Sequence, residues 1–208
     1  MSTQPKVRIT PEEYLALERK AETRSEYVDG EMFPMLGVSF AHNVITTNLV
    51  FELAKQFLDR PCQVCGPELR VRLPRTGSYV YPDVIVVFGE PELEDEHNDT
   101  LLNPCVIIEV LSPSTESYDR GLKFAHYRAM DALREYVLVS QTEFRTERYL
   151  RQDDGTWLYS EVTDPTGSLE LASVACRIPL SGIYRKIDFE RARDRAKTPS
   201  LPRAEEIQ

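Results

Sequence analysis

Two carboxylates stand in segments of the sequence that are otherwise almost wholly apolar. Asp83 follows Tyr81-Pro82 and opens a run that ends at Phe88, and Glu109 lies in the middle of Val106–Leu111. A lone carboxylate inside a sheet is costly unless it is paired, protonated or bound to a metal. Two such residues in neighbouring apolar segments therefore indicate a site that handles cations.

The spacing of the two segments predicts that these carboxylates face each other. In an antiparallel hairpin that pairs Phe88 with Pro104, the same register pairs Asp83 with Glu109. Opposed residues in such a pair share one face, with Cβ atoms ~5 Å apart. Mg²⁺ is typically held by one or two carboxylates together with water and substrate phosphate. We therefore predict that Asp83 and Glu109 are metal ligands, with Mn²⁺ as a substitute for Mg²⁺.

Phosphate chemistry at a cation site commonly uses a nearby positive group to orient water or stabilise developing charge. Leu111, two residues beyond Glu109 on the same face, cannot supply one. The following predicted helix carries Asp119, Lys123 and Tyr127 at intervals of four, in one stripe. If this helix packs across the preceding strand, Lys123 points back at Glu109. The alternative is an ordinary solvated ion pair between Asp119 and Lys123.

Five residues are accessory candidates, each with a simpler explanation beside it: Asp119, whose alternative is the ion pair above, and Glu26, Glu31, His42 and Tyr127. Glu26 and Glu31 flank the predicted Asp29-Gly30 turn and would add a carboxylate, although exposed acids at turns are common. His42, early in a predicted helix, would contact phosphate or metal, or lie on the surface as an ordinary histidine. Tyr127 would belong to the site or only to the core.

Composition narrows the class of function. The 208 residues carry a net charge of −9, which disfavours a general nucleic-acid coating protein, since phosphate neutralisation supplies most non-specific affinity. No apolar run approaches the ~20 residues that cross a bilayer, and the first residues lack the apolar stretch of a signal peptide. There is no glycine-rich phosphate loop and no Gly-x-Ser-x-Gly motif. We expect a cytoplasmic protein without a membrane partner.

The four cysteines show no disulfide framework. Cys62 and Cys65 have metal-knuckle spacing, but zinc normally needs four ligands and the other two cysteines are isolated in sequence. Reduced thiols are therefore expected rather than a zinc site.

The elements that position these residues follow from periodicity and turn signals. Thr10-Pro11-Glu12-Glu13 predicts a helix start with a capping box, and Asp29-Gly30 predicts a hairpin. Periodicity predicts helices over 10–24, 39–59 and 116–130, and strands over 68–73, 80–88, 105–111, 135–140, 145–150 and 157–162.

This order of elements predicts an α/β (α+β) fold with a mixed sheet. The middle strands are apolar at nearly every position, as in strands covered on both faces. We expect an N-terminal arm over 1–9, a single domain over 10–188 and a charged C-terminal tail over 189–208. The tail lacks apolar periodicity and is expected to be frayed or an extended arm.

The residues that carry these signals resemble the signature of the Uma family of restriction-endonuclease-like proteins. The resemblance covers about 10–188, includes the hairpin over 26–31, and rests on Pro82-Asp83, Glu109-Val-Leu-Ser-Pro-Ser-Thr115, Asp119, Lys123 and Tyr127. It implies the fold of the PD-(D/E)XK superfamily, a mixed central sheet flanked by helices, here with an added N-terminal helix and hairpin. Where the superfamily motif has lysine, this chain has Leu111; in the family resembled, the lysine has moved to the following helix and matches Lys123.

The resemblance also implies a function. The leading hypothesis is a Mg²⁺-dependent endonuclease that hydrolyses DNA phosphodiester bonds, with Asp83, Glu109 and Lys123 as catalytic residues. Two alternatives stay open: a catalytically inactive nuclease-fold module that binds DNA or a protein partner, and a hydrolase of RNA or a smaller phosphate ester. Cutting both strands would favour a twofold homodimer. The candidates for a basic cleft are Arg70, Arg72, Arg75 and Arg120.

Overall fold

The computed structural model describes residues 8–35 and 37–197. Most of the predicted N-terminal arm, over 1–7, and the end of the predicted tail, over 198–208, lie outside the described residues. In the described ranges, no helix combines the length and apolar character needed to span a membrane.

The helices and strands alternate irregularly along the chain. The α-helices are α1 (Pro11–Glu18), α2 (Phe40–Gln56), α3 (Glu116–Tyr118), α4 (Phe124–Tyr127), α5 (Leu180–Ile183) and α6 (Phe189–Lys197), with a π-helical turn over Asp119–Lys123 and a 3₁₀ turn over Ala172–Val174. The strands are β1 (Ser25–Val28), β2 (Glu31–Pro34), β3 (Cys62–Cys65), β4 (Arg70–Leu73), β5 (Ser78–Val80), β6 (Val84–Phe88), β7 (Thr100–Leu101), β8 (Val106–Leu111), β9 (Glu135–Ser140), β10 (Thr146–Arg151), β11 (Trp157–Val162), β12 (Ser168–Leu171) and β13 (Cys176–Pro179).

A mixed six-stranded sheet forms the centre of the fold, in the order β11-β10-β9-β8-β6-β3. Strands β8 and β9 run parallel, and the other neighbours run antiparallel. A second sheet has the order β2-β1-β5-β4-β7, and β12 pairs with β13. The predicted mixed α/β class is confirmed. The two strands of the N-terminal hairpin, β1 and β2, belong to the second sheet and not to the central one.

Both faces of the central sheet are covered, as the apolar strands predicted. Strand β8 is buried at every residue. Its even-numbered residues pack with Ile45, Leu49 and Leu53 of α2. Its odd-numbered apolar residues pack on the opposite face with Phe124 and Tyr127 of α4. Alternating side chains of one strand therefore face two different helical layers, and Glu109 faces α4.

The segment 80–88 is not the single strand that its apolar character predicted. It breaks at 81–83, so that β5 ends at Val80 in the second sheet and β6 begins at Val84 in the central sheet. Pro82 has no backbone N–H to donate to a ladder, which explains the break. Residues 81–83 therefore connect the two sheets, and Asp83 lies at their junction.

Side chains form hydrogen bonds with the backbone at the helix ends, and the end of α1 differs from the predicted one. The capping box is present, with the Glu13 N–H donating to Thr10 Oγ1 and the Thr10 N–H donating to Glu13 Oε2. Helix α1 nevertheless ends at Glu18, whose carboxylate accepts the Ser25 N–H at 3.0 Å and closes the turn into β1. Helix α2 begins after Ser39, whose hydroxyl accepts the His42 N–H.

The expectation of a frayed tail is wrong for 189–197, which form α6. Asp188 Oδ1 accepts the Glu190 and Arg191 N–H groups and so caps this helix. The Phe189 ring packs 4.9 Å from Phe144, centroid to centroid. The Phe189 ring also lies 5.3 Å from Tyr184, and Arg193 Nε donates to the Thr142 carbonyl. A capping side chain and the contacts of Phe189 and Arg193 order the segment.

Candidate active site

The register that links Asp83 with Glu109 is confirmed. Strand β6 pairs antiparallel with β8, and Val84 stands opposite Ile108. One step further along the same register, Asp83 lies opposite Glu109. The Asp83 N–H donates to Glu109 Oε2 at 3.3 Å, and the Val110 N–H donates to Asp83 Oδ2 at 2.7 Å. Each carboxylate therefore accepts a backbone N–H from the opposite strand segment, that of Asp83 itself in one case and that of Val110, next to Glu109, in the other.

Lys123 points back at Glu109 from the following helix. Its Nζ lies 2.9 Å from Glu109 Oε1, and that oxygen also accepts the Tyr127 hydroxyl at 2.9 Å. The Lys123 side chain is only 7% exposed. The alternative of a solvated Asp119–Lys123 pair is therefore wrong, because the lysine is buried among several acids.

Two more carboxylates share this lysine. Glu26 Oε1 lies 3.1 Å and Asp119 Oδ1 3.7 Å from Lys123 Nζ. Glu26 reaches the lysine from β1 in the second sheet, held by the Tyr81 N–H, which donates to Glu26 Oε1 at 3.1 Å. Sequence reasoning did not find this backbone contact, because it depends on how the two sheets meet.

His42 reaches Asp83 from α2, on the other face of the central sheet. Its Nε2 lies 3.2 Å from Asp83 Oδ2, and the histidine is buried. His42 is therefore not an ordinary surface histidine. Both His42 and the Val110 N–H contact Asp83 Oδ2. Within the described ranges, the other oxygen, Asp83 Oδ1, accepts no hydrogen bond.

The remaining accessory candidates divide. Tyr127 is both fully buried in the core and hydrogen-bonded to Glu109, so its two interpretations hold together. Glu31 stands opposite Val28 in the hairpin, on the face that also carries Glu26. It is not one of the acids that lie within ion-pair distance of Lys123.

A π-helical turn shapes the helical side of the site. It spans Asp119–Lys123 and interrupts the helix predicted over 116–130, which ends at Tyr127. Turns of this type are frequent at functional sites. The Tyr136 hydroxyl donates to the Asp119 carbonyl at 3.0 Å and so anchors the turn to β9. The residue spacing of four predicted the stripe but carries no signal for the π turn.

Burial and crowding displace the pKa values of the acids. Burial raises the pKa of Glu109 to about 8, against the opposing effect of Lys123, and the charges of Asp119 and Asp83 raise it further. Burial likewise raises the pKa of Asp119. Burial alone would lower the pKa of Lys123, but Glu109 and Glu26 outweigh it and raise that pKa well above its usual value. A single ammonium group therefore does not satisfy the acids around it.

The predicted basic cleft is largely neutralised by ion pairs. Arg70 is buried and lies 2.6 Å from Asp99. Arg72 lies 3.1 Å from Glu94, and Arg120 pairs with Glu116 and Glu147. Arg75 alone among the four candidates is exposed without a described ion pair.

The donor set fits a hard divalent ion held by few protein ligands. In the described part of the chain, no three His, Cys, Asp or Glu side chains are arranged to hold a metal by themselves. One oxygen of Asp83 and one of Glu109 stay clear of the side-chain donors, which suits Mg²⁺ held by two carboxylates with water and phosphate. All four cysteines are free, and Cys62 and Cys65 pack against opposite faces of the central sheet, so they form no knuckle.

Comparison with known proteins identifies the family and supports the fold. Residues 11–180 match the family model described as "Uma2: Putative restriction endonuclease". Two uncharacterized Synechocystis proteins, sll1609 and slr1290, are each 35% identical to this chain, over 79% and 89% of its length and over 93% and 96% of their own. A crystal structure described as a putative nuclease belonging to DUF820, from Anabaena variabilis, superposes with a TM-score of 0.69 at 19% identity, covering 88% of this chain and 99% of that one. The chain belongs to the Uma2 family.

Proposed function

We propose that this protein is a Mg²⁺-dependent endonuclease that hydrolyses phosphodiester bonds in DNA. The observation that carries the proposal is the pairing of Asp83 with Glu109 across two strands, with Lys123 Nζ 2.9 Å from Glu109. A half-buried and a buried acid beside a buried lysine are the groups that this chemistry needs. The family match supports a nuclease, and DNA as the substrate class is part of the proposal.

Asp83 and Glu109 would hold the metal through the oxygens that the side-chain donors leave clear. The Val110 N–H and His42 contact Asp83 Oδ2, and Asp83 Oδ1 is left without a donor from the described residues. Lys123 and Tyr127 contact Glu109 Oε1, and Glu109 Oε2 accepts only the backbone N–H of Asp83. Partners of this kind hold metal ligands in place and tune their basicity.

A bound Mg²⁺ supplies Lewis-acid polarisation of the scissile phosphate and makes a water molecule more acidic. Lys123 orients the attacking water or neutralises the charge that develops on the phosphate. Glu26 and Asp119 hold the lysine in its charged form near Glu109. Tyr127 keeps Glu109 turned towards the strand pair.

A second candidate is a nuclease-fold module that binds DNA or a protein without cleaving it. It is favoured by the ion pairs of Arg70, Arg72 and Arg120, which leave little positive surface for a DNA backbone. We also propose a cytoplasmic location, supported by the four free thiols, and a homodimer if both DNA strands are cut.

The test is cleavage of plasmid and single-stranded DNA by the purified protein with Mg²⁺ or Mn²⁺. Wild type should nick or linearise plasmid, and Asp83→Asn and Glu109→Gln should not, while both variants keep the fold by circular dichroism. Binding of DNA without cleavage by wild type would support the inactive module instead. Equal cleavage by wild type and Asp83→Asn would reveal a contaminating nuclease or a different site.

A further inference from the structure

The hydroxyl of Tyr118 is a covered polar group without a partner. Its oxygen is closed to solvent and makes no hydrogen bond with any residue in the described ranges. A covered hydroxyl that is left unsatisfied costs free energy, because it has given up its hydrogen bonds to water. Such a group in a native protein needs an explanation, and a ligand that supplies the missing partner is one.

Tyr118 lies beside the lysine of the candidate site. Its ring centroid is 5.8 Å from Lys123 Nζ. Tyr118 immediately precedes the π-helical turn, whose hydrogen bonds run between residues five apart and so bring positions 118 and 123 close together. Burial and the charge of Glu26 raise the pKa of the Tyr118 phenol, so the hydroxyl keeps its proton and is available as a donor.

The neighbouring tyrosines differ from Tyr118 in one respect. The Tyr127 hydroxyl donates to Glu109 at 2.9 Å, and the Tyr136 hydroxyl donates to the Asp119 carbonyl at 3.0 Å. Glu26, the acid that most affects the Tyr118 phenol, already receives the Tyr81 N–H and Lys123. Glu26 Oε1, Glu109 Oε1 and the Asp119 carbonyl are therefore served by other donors.

We propose that Tyr118 is a further residue of the site, whose hydroxyl donates a hydrogen bond to an anionic oxygen of the bound phosphodiester. The proposal rests on the proposed function. Lys123 and Glu109 are themselves 5% and 3% exposed, so a ligand reaches the lysine only when the site opens, and the proposal requires that this opening also uncover the Tyr118 hydroxyl. Because three acids already share Lys123, a second donor strengthens the hold on an anion.

The decisive variant is Tyr118→Phe, which removes the hydroxyl and keeps the ring beside Lys123. Binding of a fluorescent oligonucleotide is measured with Ca²⁺, cleavage with Mg²⁺, and the melting temperature without ligand. Affinity and kcat/KM should each fall about 5- to 10-fold, the range of one hydrogen bond. The melting temperature should stay equal or rise. Tyr159→Phe, which removes an exposed hydroxyl from β11, should match wild type in all three measurements.

Three results overturn the proposal: unchanged affinity and cleavage, a lowered melting temperature that accounts for the loss, or an equal loss in Tyr159→Phe. A separate arm covers a wild type that neither binds nor cleaves DNA, which would end the proposed function. In that case the melting temperature is measured with inorganic phosphate. A larger rise in wild type than in Tyr118→Phe would keep Tyr118 as an anion donor, and equal rises would overturn it.

Discussion

Two clusters in this protein use the same residue types to opposite effect. The arginine cluster consists of Arg19, Arg70, Asp95 and Asp99, and joins the acidic loop before β7 to α1 and β4. The lysine cluster consists of Lys123 with Glu26, Glu109 and Asp119, next to Asp83. The first matches two acids with two cations. The second gives three acids one cation.

The pKa values follow this balance. Hydrogen bonds from Arg19 lower the pKa values of Asp99 and Asp95. Burial raises the pKa values of Glu109 and Asp119, because one lysine cannot compensate for it. A balanced and partly exposed cluster fixes a loop, whereas an unbalanced and buried cluster is suited to take up a further cation. The count of opposite charges, rather than the presence of acids, distinguishes the two.

The largest expected effect is the loss of the shared cation. Lys123→Met leaves the buried carboxylates of Glu109 and Asp119 without a cation, and breaking a buried pair in this way costs about 3–5 kcal/mol of unfolding free energy. Urea unfolding in metal-free buffer measures it. The matched control is Lys55→Met, whose lysine is 47% exposed and whose partner Glu52 keeps Arg185, so the loss should be about 1 kcal/mol or less. Similar losses of unfolding free energy in both variants would contradict the expectation that the buried Lys123 stabilises the protein more than the exposed Lys55 does.

Metal binding should stabilise the lysine cluster and leave the arginine cluster unaffected. At Mn²⁺ concentrations of about 100 times Kd, wild type should gain about 2.7 kcal/mol, which raises the melting temperature by several degrees. Glu109→Gln should hardly respond, and Asp99→Asn should respond as wild type does. A response lost in Asp99→Asn would mean that the metal binds at the acidic loop.

Stability should change with pH in different ranges for the two clusters. The pKa of Glu109 is raised from about 4.5 to about 8 on folding, so native protein holds a proton that unfolded protein releases. The contribution of Glu109 to stability in metal-free buffer should therefore be fully present below about pH 4.5 and fall by roughly 1–2 kcal/mol as the pH rises towards 8. Glu109→Gln should flatten this slope.

The acids of the arginine cluster have lowered pKa values, so their contribution is present above about pH 4 and is lost as the pH falls below it. Asp99→Asn should weaken that acid limb and leave the slope between pH 5 and 8 unchanged. A slope between pH 5 and 8 that persists in Glu109→Gln would assign the titration to another group.

The smallest expected effect comes from Arg19→Met. The Arg19 side chain is 22% exposed, and Asp99 keeps Arg70 when it is removed, so the loss of stability should be about 1 kcal/mol or less. The Mn²⁺-induced rise in melting temperature should equal that of wild type. A diminished rise would show that the two clusters are coupled, which their separate partners do not suggest.

Local patterns were enough to predict the strand pairing at the centre of the site. The facing of Asp83 and Glu109 follows from two apolar segments and one loop length, and Lys123 follows from a spacing of four in the next helix. Both depend only on neighbouring segments. The site roles of these residues stay predictions that the experiments above test.

Contacts between distant segments were not predictable in the same way. Glu26 lies within ion-pair distance of Lys123 because the chain passes at Pro82 from the second sheet, which contains β1, to the central sheet. Composition gives the number of arginines but not their partners, so the neutralised Arg70, Arg72 and Arg120 were expected in a cleft. Helix α6 packs through Phe189 against the rings of Phe144 and Tyr184, contacts between distant segments that periodicity does not predict.

The π-helical turn at Asp119–Lys123 gives the lysine cluster a position where one residue can be lost. A π turn accommodates about one residue more than an α turn. Removing the single codon for Gly121 would leave a regular α-helix, in which Tyr118 and Asp119 stand four and three residues before the lysine and stay on its face of the helix. Evolution could therefore shorten the chain by one residue here and keep the cluster together.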